Sequence, residues 1–144
     1  MKIMTKFHGE LEIDQQQLWH FQNGIPGFPD EQQFALYPLG DSDLSVLQSF
    51  QNKNVAFVVA DPFVFFDRYD FVLEDSVLEQ LEVENRSDVM VAVILTLGET
   101  IEESTANLQA PVIFNLKNQK AKQVILHDTH YMTKHPLNQQ EGKE

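Results

Sequence analysis

Short alternations and short continuous apolar runs organise this chain, and the spacing of a long amphipathic helix is scarce. From Phe7 to Ile13, Leu11 and Ile13 alternate with Glu10 and Glu12, and in Leu18 to Phe21 aromatic residues bracket His20. Both patterns have the two-residue period of a half-buried strand. Val55 to Ala60 and Val89 to Leu95 are nearly unbroken and rich in β-branched residues, which predicts central strands covered on both faces. Val112-Ile113-Phe114 and Val124-Ile125-Leu126 are further strand candidates, and the Asn-rich stretch Asn115 to Lys120 between them predicts a hairpin turn.

Helical signals are confined to the middle of the chain. Asp75-Ser76 stands ahead of Val77, Leu78 and Leu81, with Glu79 three residues after Ser76, a spacing that predicts an N-cap, a capping box and one short helix. Pro62 to Asp67 predicts another helical turn with proline near its start. Eight or more short strands with turns between them predict a mainly β fold, an antiparallel β-barrel-like or sandwich domain with one or two short helices. Residues 1–135 read as a single domain, and the polar stretch 136–144 as a mobile tail.

With 144 residues, 42% of them hydrophobic, the chain can bury one core. Cysteine is absent, which removes disulfides, thiolate metal sites and cysteine nucleophiles, and suits a reducing compartment. Met1 to Lys6 leads into no apolar stretch of signal-peptide length, and no segment approaches the roughly 18 apolar residues needed to cross a bilayer. The expectation is a cytoplasmic protein with no membrane partner.

Charge adds the first functional constraint. Twenty-two acids against ten Lys and Arg give a net −12, a field that repels phosphate backbones and disfavours direct nucleic-acid binding. The same field attracts a basic protein, although acidity alone also serves solubility. Nine acids lie between Asp61 and Asp88 against Arg68 and Arg86. From Lys117 to Lys134 the sign reverses, with Lys117, Lys120, Lys122 and Lys134 opposed by Asp128 alone. These runs predict an acidic face and a mildly basic stretch.

Catalytic motifs are not apparent. In His127-Asp128-Thr129-His130 the two imidazoles, three residues apart on a strand, would point to opposite faces, so a solvated strand end is the better account. Asp67, Asp70, Glu74 and Asp75 lack the glycine and the alternation of a calcium loop. No metal, cofactor or catalytic residue is assigned. A small β-barrel enzyme, or a carrier of a ligand or metal, using the Asp67 to Asp75 cluster remains the alternative. Gly24-Ile25-Pro26-Gly27-Phe28 is no phosphate loop, having no Lys, Ser or Thr after the glycines. It predicts an ordered structural loop, with Gly24 and Gly27 in glycine conformations, Pro26 stiffening the turn, and Ile25 and Phe28 plugging apolar surface.

Along nearly its whole length the chain resembles the flagellar assembly factor FliW family. The resemblance is carried by Phe21 to Phe28, Leu47-Gln48-Ser49, Asp61-Pro62 and Ser104 to Ile113. It implies a β-barrel-like adaptor that binds flagellin near its C-terminus in a chaperone-like manner. Once free of flagellin, such an adaptor binds the RNA-binding translational regulator CsrA and relieves its repression of flagellin translation. For CsrA, the mixture of acids and apolar groups selects Asp70, Glu74 and Asp75, with Tyr69 and Leu78 beside them. For flagellin, whose terminal helices need an apolar groove, the candidates are Ile25, Phe28, Leu47, Phe50 and the segment from Asn107 to Pro111. The free protein is expected to be monomeric.

Overall fold

The computed structural model describes residues 1–127 and 129–137. Among the described residues the strands are β1 (Lys2–Thr5), β2 (Gly9–Glu12), β3 (Leu18–Phe21), β4 (Gln33–Pro38), β5 (Leu44–Ser49), β6 (Ala56–Ala60), β7 (Val89–Thr96), β8 (Thr105–Ala106), β9 (Val112–Asn115), β10 (Lys120–Gln123) and β11 (His135–Pro136). Two short helices, α1 (Pro62–Phe65) and α2 (Asp75–Gln80), lie in the connection from β6 to β7.

Seven strands close into a barrel in the order β3-β4-β5-β6-β7-β9-β10, with β10 returning to β3. Successive neighbours are antiparallel. An odd number of alternating strands leaves the last running the same way as the first, and β3 and β10 are accordingly parallel, with Lys120 opposite His20 and Ala121 opposite Phe21. Closure removes the long open edges that a flat sheet of these strands would have. Beyond the barrel, the C-terminal end of β7 continues into β8 and β11, and β1 and β2 form a separate hairpin.

All seven barrel strands contribute to one interior cluster, through Trp19, Phe21, Phe34, Leu47, Val59, Ala92, Val112, Phe114 and Ala121. Its rings meet edge to face, Trp19 on Phe114 at 4.8 Å and Phe21 on Phe34 at 5.2 Å, the arrangement favoured by the aromatic quadrupole. The strands predicted to be covered on both faces are so covered. Val59 and Ala92 point inward, while Val58, Ala60, Val93 and Leu95 pack outside against Phe66, Tyr69 and Leu108. A third cluster seats Val77 and Leu81 of α2 on Ile113, Val124 and Leu126.

Two local expectations change. The hairpin strand after β9 is Lys120–Gln123, earlier than Val124 to Leu126. Asn115 and Asn118 accept from the N–H groups of Lys117 and Lys120, so the turn is tight and the return begins at once. Val124 and Leu126 still run beside residues 109–111, donating to Pro111 O at 2.9 Å and Gln109 O at 2.8 Å. Helix α2 begins two residues sooner than its Ser76–Glu79 capping pattern implies. Glu74 is the N-cap, with no side-chain capping bond, so Asp75 and Ser76 lie within the helix. Helix α1 follows its signal, Asp61 Oδ1 accepting from Phe63 N–H with Pro62 at the start.

The boundary at 135 also moves, because the next two residues belong to the folded domain. Pro136 pairs with Thr105 in β11, and Leu137 is buried in the outer cluster, its N–H donating to Ser104 O at 3.0 Å. The mobility expected of residues 138–144 lies outside the described residues.

Candidate functional site

Helices α1 and α2 are joined by an extended segment that lies over the outer clusters, and its alternation creates the candidate face. Phe71 and Leu73 are half-buried against those clusters, while Val72 between them is 83% exposed. An apolar side chain held out this far contributes almost nothing to folding by burial. Tyr131 anchors the start of the segment: its hydroxyl accepts from the Asp70 N–H at 2.9 Å and donates to the Asp70 carbonyl at 3.0 Å.

Two grooves flank Val72. One, of about 530 Å³, lies between the segment and residues 124–127 and 129, and has Asp70, Glu74, Ile125 and His127 among its walls. The other, of about 330 Å³, lies toward Leu78, Arg86 and Val89. Around α2 a shallow acidic surface includes Asp75, Glu79, Glu82 and Glu84. Asp70, Glu74 and Asp75 are exposed and Leu78 half-buried, so four of the residues selected for CsrA share this face.

Tyr69 does not. It is 4% exposed, donates to Leu108 O at 2.7 Å, and meets Tyr131 edge to face at 4.7 Å. Burial, reinforced by Tyr131, pushes its phenol pKa well above the usual tyrosine value. Tyr69 therefore supports the acidic segment from beneath. The extended chain had concealed that inward turn, because its neighbours Arg68 and Asp70 are both exposed.

The flagellin candidates separate into several places. Ile25 and Leu47 are barrel interior, 2% and 0% exposed, and cannot offer a surface without unfolding it. Pro111 is buried, and its carbonyl accepts from Val124. Half-buried Asn107 closes a turn through its side-chain oxygen, which accepts from Ala110 N–H at 3.1 Å. Phe28 and Phe50 are the exposed members. Their loops are joined by Gln51 Nε2 donating to Asp30 O at 3.1 Å and by a bond from Ser49 to the Glu31 carboxylate. Phe28 packs edge-on against Phe57 at 5.7 Å.

The loop at 24–28 is ordered as expected. Gly24 and Gly27 have φ of +66° and +91°, and Ile25 and Phe28 pair as an isolated bridge. Gln48, a polar member of the Leu47-Gln48-Ser49 segment, escaped sequence reasoning. Fully buried, it accepts from Lys6 N–H at 2.9 Å and donates to carbonyls of residues 49–55, tying the β1–β2 hairpin to the barrel. A buried glutamine needs such partners, but nothing local in the sequence marks it as buried.

Metal and membrane readings gain no support. Among the described residues no three His, Cys, Asp or Glu side chains are grouped to hold a metal ion, and the acids of the face point outward separately. His127 and His130 are exposed and lie outside any strand, and Asp128 lies outside the described residues. No helix among the described residues is long and apolar enough to cross a membrane.

Comparison with known proteins is consistent along the chain. The family model described as FliW protein matches residues 2–137. The chain is 54% identical over 138 residues to the flagellar assembly factor FliW of Bacillus pumilus, covering 95% of this chain and 96% of that protein. It is 51% identical over 138 residues to the protein of the same description from Bacillus subtilis, with the same coverage. A crystal structure of the flagellar assembly factor FliW superposes with a TM-score of 0.91 at 42% identity, covering 98% of this chain and 99% of that one.

Proposed function

Because the chain belongs to the FliW family, we propose that it is a non-catalytic cytoplasmic adaptor that binds flagellin and, when released, binds and antagonises CsrA. The single observation that supports this reading best is the acidic face with Val72 projecting at its centre. An exposed apolar anchor rimmed by carboxylates suits a basic protein surface: the rim steers encounter and the anchor loses water only in the complex.

On this reading Asp70, Glu74 and Asp75 meet cationic groups of CsrA, with Leu78 and Val72 filling the apolar centre. Negative potential held near the RNA site of CsrA opposes the phosphate backbone even where the base-reading surface stays uncovered. Flagellin has less support from the geometry. Phe28 and Phe50, on adjoining loops, are the candidates left at the surface.

The test is a competition titration with purified protein, CsrA and labelled flagellin leader RNA, with and without flagellin, at two salt concentrations. Displacement of RNA by the protein, and its restoration by flagellin, is the expected result. A protein that binds neither partner would overturn the proposal.

A further inference from the structure

The mildly basic stretch of the sequence has a structural counterpart that the adaptor reading does not use. β3 and β10 run together at only two opposed positions before the chain after Phe21 turns away through Gly24. Their divergence, together with the end of α2, leaves a cavity of about 450 Å³. Its walls include His20, Asn23, Gln80, Lys120 and Lys122, and no Asp or Glu is among the described residues that line it. In a chain of net −12 that is a local inversion of sign.

The two lysines are held differently. Lys120 is paired with the carboxylate of Glu82, outside the cavity wall. The Lys122 ammonium donates to the side-chain oxygen of Gln80, a neutral acceptor, so a hydrogen bond is satisfied while no carboxylate among the described residues pairs with the charge. An anionic acceptor adds to that hydrogen bond a charge–charge attraction that the neutral amide oxygen does not supply. The wall is also firmly placed: Gly24 sits so tightly that a Cβ there would lie 2.3 Å from the Phe28 carbonyl oxygen. Gln123 on the opposite wall is fixed by donating to Ala110 O at 3.1 Å.

From this geometry we infer that the cavity between β3, β10 and the end of α2 binds a small multivalent oxyanion, a di- or tricarboxylate or a phosphate compound. Lys122 is its principal charge partner, exchanging Gln80 for the ligand. His20 and Asn23 face the same space as additional polar contacts. The volume suits a metabolite-sized ligand. The negative field of the rest of the molecule disfavours anions elsewhere on the surface, so localised anion binding on this protein is diagnostic.

The experiment is an NMR titration of the full chain with citrate and, separately, inorganic pyrophosphate, each against sodium chloride of matched ionic strength. Saturable shifts are expected at Asn23, Gln80 and Lys122, and Lys122→Gln should weaken them by about tenfold or more. Lys122→Arg keeps the charge and should retain binding, and Lys117→Gln, on the exposed turn outside the cavity, should leave it unchanged. Response to citrate alone identifies a carboxylate ligand, and response to pyrophosphate alone a phosphate ligand. Shifts no larger than those from chloride, or equally strong in a folded Lys122→Gln protein, would overturn the inference. Neither CsrA nor flagellin is present, so the result is independent of the adaptor reading.

Discussion

The side-chain amide of Asn115, on β9, donates to the carbonyl of Leu81 at the end of α2, 2.9 Å away, and also to that of Glu82 at 3.2 Å. Asn118 donates to the same Leu81 oxygen at 3.0 Å. The last carbonyls of a helix have no partner within it, and here the β9–β10 turn supplies one. Glu82, in the left-handed region at φ 55°, lets the chain leave while Val83 N–H returns to Leu78 O, a C-terminal cap of Schellman type. Replacing the 1%-exposed Asn115 by Ala removes its bonds to both carbonyls and its acceptor for Lys117 N–H, leaving Asn118 as the side-chain donor to Leu81 among the described residues. A loss of about 1–3 kcal/mol is expected, read from the urea midpoint, with faster amide exchange across α2.

Tyr69 sets an alkaline limit. Its phenol is favoured in the neutral form by burial and titrates higher when folded than when unfolded. The stability it contributes is therefore fully present below the unfolded value of about 10 and is lost as pH rises beyond it. Tyr37, also raised by burial, acts in the same direction. Tyr69→Phe should lower stability at pH 7 by about 0.5–1.5 kcal/mol through the lost bond to Leu108. It should also flatten the decline above pH 10, as thermal melts across alkaline pH will show.

The two loop glycines should differ. An alanine at Gly24 meets main-chain atoms of Phe28 and Pro29 within 3 Å, whereas at Gly27 the space is open. Gly27→Ala carries only the strain of a positive φ, about 1–2 kcal/mol. Gly24→Ala adds a backbone clash and should cost clearly more, about 3 kcal/mol or above. Parallel chemical denaturation of the two variants compares them directly.

The acidic face predicts a separation of affinity from stability. Glu74→Lys combined with Asp75→Lys loses favourable charge at the start of α2, about 1 kcal/mol of stability or less. Binding of CsrA should fall about tenfold or more, with a shallower salt dependence, because rim charges govern association. Val72→Ala should change stability by no more than about 0.5 kcal/mol while weakening the same complex. Calorimetry at two ionic strengths measures both. Unchanged affinity and salt slope in the double variant would place the CsrA contact elsewhere.

The fold was legible where residues speak through their neighbours. The apolar runs at 55–60 and 89–95 marked strands buried on both faces, and Pro62 marked the start of α1. β10 was hidden because Lys120-Ala121-Lys122-Gln123 turns only Ala121 fully inward and leaves its long polar neighbours half-exposed. The face around Asp70 to Leu78 was readable as composition. What each side chain does there depends on alternation over a surface formed from distant strands, so Tyr69 looked external and Val72 went unnoticed. Similarly, Ile25 and Leu47 have the composition of a docking groove, and only barrel closure puts them inside.

The parallel seam between β3 and β10 has a consequence during synthesis. His20 has no sheet neighbour on that side until Lys120 has been made, about a hundred positions later, when its N–H bonds to Gln119 O at 2.8 Å. While the ribosome is still adding the second half, β3 to β6 can associate but the sheet stays open at both ends. Such edges invite pairing with other nascent chains. Closure therefore comes late and joins distant residues, which makes folding slow relative to locally connected domains of this size. Stalling translation before the β10 codons should yield a protease-sensitive, aggregation-prone chain, and release of the full chain should yield a resistant one.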